Sequence, residues 1–238
     1  MAAERVQHDE GITSAAQKME NPETSGQPYP PTVAVDHLVF GAPDLLTGIQ
    51  TVEKLLGVHP APGGKHLGVG THNALVSLGA GAYLEVIAPD PAQPTPPWPR
   101  PYGLDALDRP RLLTWAAKAQ DIESQAQRAR AAGVDLGPVL RMSRERPDGI
   151  RLEWTLTRAE RMVGDGLVPF LIAWDPGAHP SETSPTGGRL VAVRGEHPEP
   201  ERIRGMLEAV GITLPLTRGP RPALIATVEG APGTVELR

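Results

Sequence analysis

Three glycines, Gly57, Gly133 and Gly211, stand 76 and 78 residues apart, and each is followed by Val or Ile. Each closes a stretch whose apolar residues keep helical spacing. Leu45, Ile49, Val52 and Leu56 precede the first, Ile122, Ala126 and Ala129 the second, and Ile203, Leu207 and Val210 the third. A glycine there adopts the left-handed helix-ending conformation without a Cβ clash. One such glycine would carry no information, but three at even spacing predict three related units. Strand-like segments surround each helix: "VAVDHLVF", "NALVSLG" and "YLEVIA"; then "RLLTWAAKA", "PVLRMSRER", "IRLEWTLT" and "PFLIAWD"; then "RLVAVRG", "PALIATVEG" and "GTVELR". The chain therefore reads as α+β, built from repeated βαβββ modules. Expected boundaries are a disordered tail over 1–31, modules over 32–90 and 111–177, a Pro-rich linker over 91–110, and a third, partial module over 178–238.

Bulk properties remove several chemistries. A net charge of −5 gives no basic excess for nucleic acid, and the absence of cysteine rules out disulfides, thiolate nucleophiles and zinc–thiolate sites. Any metal must be held by nitrogen and oxygen ligands. The first thirty residues lack the apolar core of a signal peptide and no run of eighteen apolar residues occurs, so no membrane segment and a cytoplasmic location are expected. "GVGTHN" imitates part of a dinucleotide loop but opens no helix.

The residues carry their own signal. In "VDHLVF", alternation places His37 with Val35 and Val39, and Asp36 with Leu38 and Phe40. In "YLEVIA" it leaves Glu85 opposite Leu84 and Val86. His37 and Glu85 would then face away from the helix. A carboxylate among apolar neighbours either pairs with a cation or goes neutral, and a divalent ion answers that need. The alternative is a plain His37–Glu85 hydrogen bond. His72, sharing a face with Ala74, Val76 and Leu78, and His66, placed in a glycine-rich loop, are candidate third ligands. Asn73 either supports the turn or donates to a ligand oxygen. Trp115, Trp154 and Trp174 all fall on second-unit strands and are candidates to line a cavity for an aromatic small molecule, or else to fill core. Arg141, Arg144, Arg146 and Arg151 gather around one hairpin, either to meet an anionic substrate or as a solvated end.

"VDHLVFGAPDL", with "GGKHLGVGTHN" and "YLEVIAPDP", resembles the glyoxalase, bleomycin-resistance and ring-cleaving dioxygenase superfamily, the vicinal oxygen chelate fold. The resemblance implies paired modules forming a curved mixed sheet around a cavity. It also implies His37 and Glu85 as metal ligands with a divalent ion (Zn, Ni, Co, Mn or Fe(II)), and a metal-dependent lyase or isomerase acting on a small substrate through vicinal oxygens. A dioxygenase stands behind these. The alternative is a non-catalytic binding protein on the same fold. The second unit departs from the pattern: aligned on Asp121, Thr114 falls at the position of His37 and Ile172 at that of Glu85, leaving Glu153, Asp175 and His179 as candidate substitutes. Because three units leave one without a partner, a homodimer is expected.

Overall fold

The computed structural model describes residues 35–146, 148–177 and 179–238, so the expected tail over 1–31 lies outside the described residues. β1 (Val35–Gly41) leads through α1 (Leu45–Leu56) to the strands β2 (Ala61–His66), β3 (Thr71–Ser77) and β4 (Tyr83–Pro89). A 3-10 segment at Pro101–Ala106 crosses to β5 (Arg111–Lys118), α2 (Ile122–Ala131), β6 (Val139–Glu145), β7 (Arg151–Thr157) and β8 (Phe170–Trp174). The helices begin alike: Asp44 accepts from the Thr47 amide and Asp121 from the Ser124 amide, each satisfying a free N-terminal N–H. α1 ends at Gly57, whose φ of 72° explains the glycine.

These strands form one eight-stranded sheet in the order β2-β3-β4-β1-β5-β8-β7-β6. β1 runs parallel to β4 and β5 parallel to β8, while β1 and β5 meet antiparallel at the centre. The second unit thus repeats the weave of the first, turned about the central seam. The sheet curves until its outer strands approach, and Arg144 of β6 donates to the Gly63 carbonyl of β2. A side chain at Gly64, whose φ is +144°, would come within 2.6 Å of the Glu145 carbonyl. The "GGKH" segment, expected as a loop, is therefore an edge strand whose glycines let β6 come close.

After a short α3 (Pro180–Thr183), the last unit comprises β9 (Arg189–His197), α4 (Pro200–Val210), β10 (Leu216–Arg218), β11 (Ala223–Gly230) and β12 (Gly233–Leu237). Its element order matches the others, yet its sheet runs β10-β9-β11-β12. α4 returns the chain to a strand parallel to β9, whereas α1 delivers β2 to the far edge of its sheet. Periodicity reports strands and helices but not which strands pair. One continuous core joins Leu38, Val52 and Leu56 of the first unit, Trp115 of the second, and Ile203, Leu207 and Leu237 of the last. The last unit thus buries its apolar face inside the chain, against the helix-bearing side of the large sheet. Its sheet stays separate from the eight-stranded one, so it completes no module pair with either of the first two units.

Candidate active site

Between Val35 and His37, β1 carries one residue more than β5. Val35 pairs with Ala117 and His37 with Ala116, which leaves Asp36 as a β-bulge. The bulge breaks the alternation read from the sequence: Val35 joins Leu38 and Phe40 in the helix-side core, while Asp36 turns towards the cleft side with His37. Asp36 is fully buried and accepts from His37 Nδ1 at 2.8 Å, His179 Nε2 at 3.1 Å and Trp174 Nε1 at 3.2 Å. Burial opposes its charge, but the hydrogen bonds from His179 and His37 outweigh it and hold the carboxyl well below the usual carboxylate range. With Nδ1 engaged by Asp36, His37 presents Nε2 towards Glu85. Its ring is fixed by stacking on Tyr83, centroids 4.6 Å apart, and by the edge of Phe170.

Glu85, on β4, receives groups from three directions. His37 Nε2 lies 3.8 Å from one oxygen and His66 Nε2 3.8 Å from the other. The Asn73 amide donates to Glu85 Oε1 at 2.6 Å, while Asn73 Oδ1 is buried without a partner. A Cβ at Gly63 would overlap that amide oxygen, so the glycine makes room for Asn73. His66 closes β2 with its Nδ1 2.9 Å from Thr71 Oγ1. Burial lowers the pKa of His66, against the opposing pull of Glu85, which favours a neutral imidazole able to act as a ligand.

The remaining candidates divide by strand face. Trp154 and Trp174 line the cleft with ring centroids 5.1 Å apart. Trp115 does not: it is fully buried on the helix side, where its Nε1 donates to the Leu167 carbonyl at 3.0 Å. His72 also lies away from the cleft. Its companions on β3 are those expected, Ala74, Val76 and Leu78, but that face packs towards the helices, and Thr71 and Asn73 face the cavity instead. His72 sits 3.9 Å from Asp90. Glu153 and Asp175 pair outside with Arg141, and His179 acts through Asp36. Sequence reasoning missed Asp36, because no residue pattern marks a bulge, and passed over Tyr102, Arg158 and Phe170 of the cleft wall.

The cleft encloses about 630 Å³ of space between atoms, part of it open to solvent. Its imidazole and carboxylate donors come from the first unit. In the second, Ala116 lies opposite His37 and pairs with Phe170 as His37 pairs with Tyr83. Ala116, not Thr114, is thus the counterpart of His37, because the connection to the helix cap is two residues shorter in the second unit. Ile172 stands at the counterpart of Glu85, as aligned.

Among the described residues, no group of three or more His, Asp or Glu side chains is spaced as a closed metal set. The donor chemistry nevertheless fits a divalent ion. Two imidazoles, each with its other nitrogen engaged by Asp36 or Thr71, address one carboxylate. Their 3.8 Å separations exceed hydrogen-bond reach but fall within the ~4 Å that two ligand bonds of ~2 Å can span.

Two βαβββ units woven into one curved sheet around a cleft make the fold of a vicinal oxygen chelate domain. The chain belongs to the glyoxalase-like domain family, whose model matches residues 35–211. A hypothetical protein from Staphylococcus aureus shares the fold at 12% identity and TM-score 0.59, over 83% of this chain and 92% of that one. Methylmalonyl-CoA epimerase from Mycobacterium tuberculosis matches at 17% identity and TM-score 0.36, over 62% of this chain and 92% of that one. A mutant 4-hydroxymandelate synthase from Streptomyces coelicolor matches at 14% identity and TM-score 0.44, over 86% of this chain and 62% of that one. No curated protein matches the sequence. Among the described residues, no helix is long and apolar enough to cross a membrane.

Proposed function

We propose that the protein is a metal-dependent lyase or isomerase acting on a small oxygenated substrate in the cleft between its first two units. The supporting observation is the approach of His37 and His66 to the two oxygens of Glu85, each at 3.8 Å. These three residues would hold a divalent ion (Zn, Ni, Co, Mn or Fe(II)), and Asn73 would keep the Glu85 carboxylate turned towards it. When bound, the ion supplies Lewis acidity to vicinal substrate oxygens. The chain supplies the rest. Asp36 fixes the tautomer of His37, Glu85 takes and returns a substrate proton, and Trp154 and Trp174 present the wall against which the substrate lies.

A second reading is a binding protein that sequesters its ligand without turnover. Ala116 and Ile172 favour it, since the second unit offers no donor where the first has His37 and Glu85. One experiment separates the two. Protein purified without chelator is assayed for bound transition metal, alongside His37→Ala and Glu85→Gln. Stoichiometric metal in the parent, lost in both variants, is expected for the enzyme. A metal-free parent that still binds a small ligand would establish the binder.

A further inference from the structure

Arg144, on β6, lines the cleft and is only 6% exposed. Its Nη1 donates to the Gly63 carbonyl, which occupies one of five guanidinium donors. Among the described residues no carboxylate pairs with it. Burial pushes its pKa down, as it does for a charge removed from water without a counter-ion. Arg158, half-buried, lines the same cleft and also has no ion-pair partner among the described residues. Against these two cations the lining offers one acid, Glu85, already bonded by Asn73. Four of the five Arg144 donors have no carboxylate partner among the described residues, and a forked guanidinium matches a carboxylate.

The neighbouring wall specifies the rest of the ligand. Trp154 and Trp174 stand on β7 and β8, and the Trp174 ring is held by its hydrogen bonds to Asp36. Trp174 so held, with Trp154 tilted 43° beside it, offers aromatic faces to a flat ring. We propose that the cleft takes a planar aromatic carboxylate, its anionic group against Arg144 and Arg158 and its ring against Trp154 and Trp174. The inference rests on the reading that the cleft at His37 and Glu85 is the ligand site, but not on an ion being held there.

Arg144 also bridges β6 to β2, so the test must separate charge recognition from barrel closure. Salicylate and salicylamide share a ring and a vicinal hydroxyl and differ in charge. Calorimetric titration of the full chain with both, as purified and after EDTA treatment, is expected to show salicylate binding at least about tenfold more tightly in either sample. Arg144→Gln should bring the two affinities within about twofold, and Arg144→Lys should restore part of the gap. Equal affinities in the parent protein, or binding of neither probe, would overturn the proposal whether or not the variants fold. A preference that vanishes with EDTA would also overturn it, by assigning recognition to the ion. A metal-free parent with the preference intact would instead overturn the metal-dependent reading and leave this one standing.

Discussion

The two halves of the large sheet share one weave and divide the work of the cleft. The first half contributes His37, His66, Asn73 and Glu85, and the second contributes Trp154, Trp174, Arg144 and Phe170. At matched positions an imidazole faces a methyl group (His37 and Ala116) and a carboxylate corresponds to a branched alkyl group (Glu85 and Ile172). What both halves keep is scaffolding: an aspartate cap, a parallel first and last strand, and an apolar helix face. The halves share a frame, while the imidazole–carboxylate donors and the indole–guanidinium surface of the cleft sit in separate halves.

Seven substitutions test that division, beginning with the largest effect. Trp115→Ala empties a fully buried site on the helix side and should cost about 3–5 kcal/mol in chemical denaturation. Ligand affinity per folded molecule should stay unchanged, whereas Trp154→Ala should weaken it. If Trp115→Ala impaired binding as much, the assignment of faces would be wrong. Within the first half, His66→Ala should lower metal affinity at least about tenfold while His72→Ala leaves it alone, as measured by competition with a chromophoric chelator. Equal losses would return His72 to the cleft.

Asp36→Asn removes the charge shared by His37, His179 and Trp174, and should cost about 2 kcal/mol in the same denaturation measurement. A neutral result would mean that the bulge aims the acid at nothing of energetic consequence. Asp44→Ala should cost about 1 kcal/mol by removing the cap of α1, and Asp121→Ala should act on α2 in the same direction. Hydrogen bonds from Thr47 hold the Asp44 carboxyl below its ordinary 3.8. Its contribution is therefore complete above that value and is lost as pH falls through the lower folded one. Parent and variant should differ steadily at neutral pH and converge in strong acid. A gap that persisted there would mean the cap does not depend on charge.

Much of this was legible because it follows from local rules. The Gly57 cap, the Val52 and Leu56 helix face, the His37 strand and the Glu85 strand all obey short-range periodicity. What escaped depends on how strands pair. β2 was hidden because "APGGKH" lacks the β-branched residues of a typical strand and forms only when β3 and β6 approach it. His72 was assigned its proper companions yet the wrong side, since alternation defines two faces without saying which one the helices cover. The last unit repeats the element order of the others, and only its pairing shows a different sheet. The departure of the second unit was visible, though its counterpart to His37 was placed two residues away by an alignment that assumed equal connections.

The bulge at Asp36 carries a consequence for how such domains diverge. Removing one residue just ahead of Asp36 would let plain alternation carry the acid to the helix side of β1 and away from His37 Nδ1, with both side chains still encoded. The support of His37 can therefore be lost or gained through a change in strand length. Sequence comparisons that score only replacements at aligned columns would pass over the event.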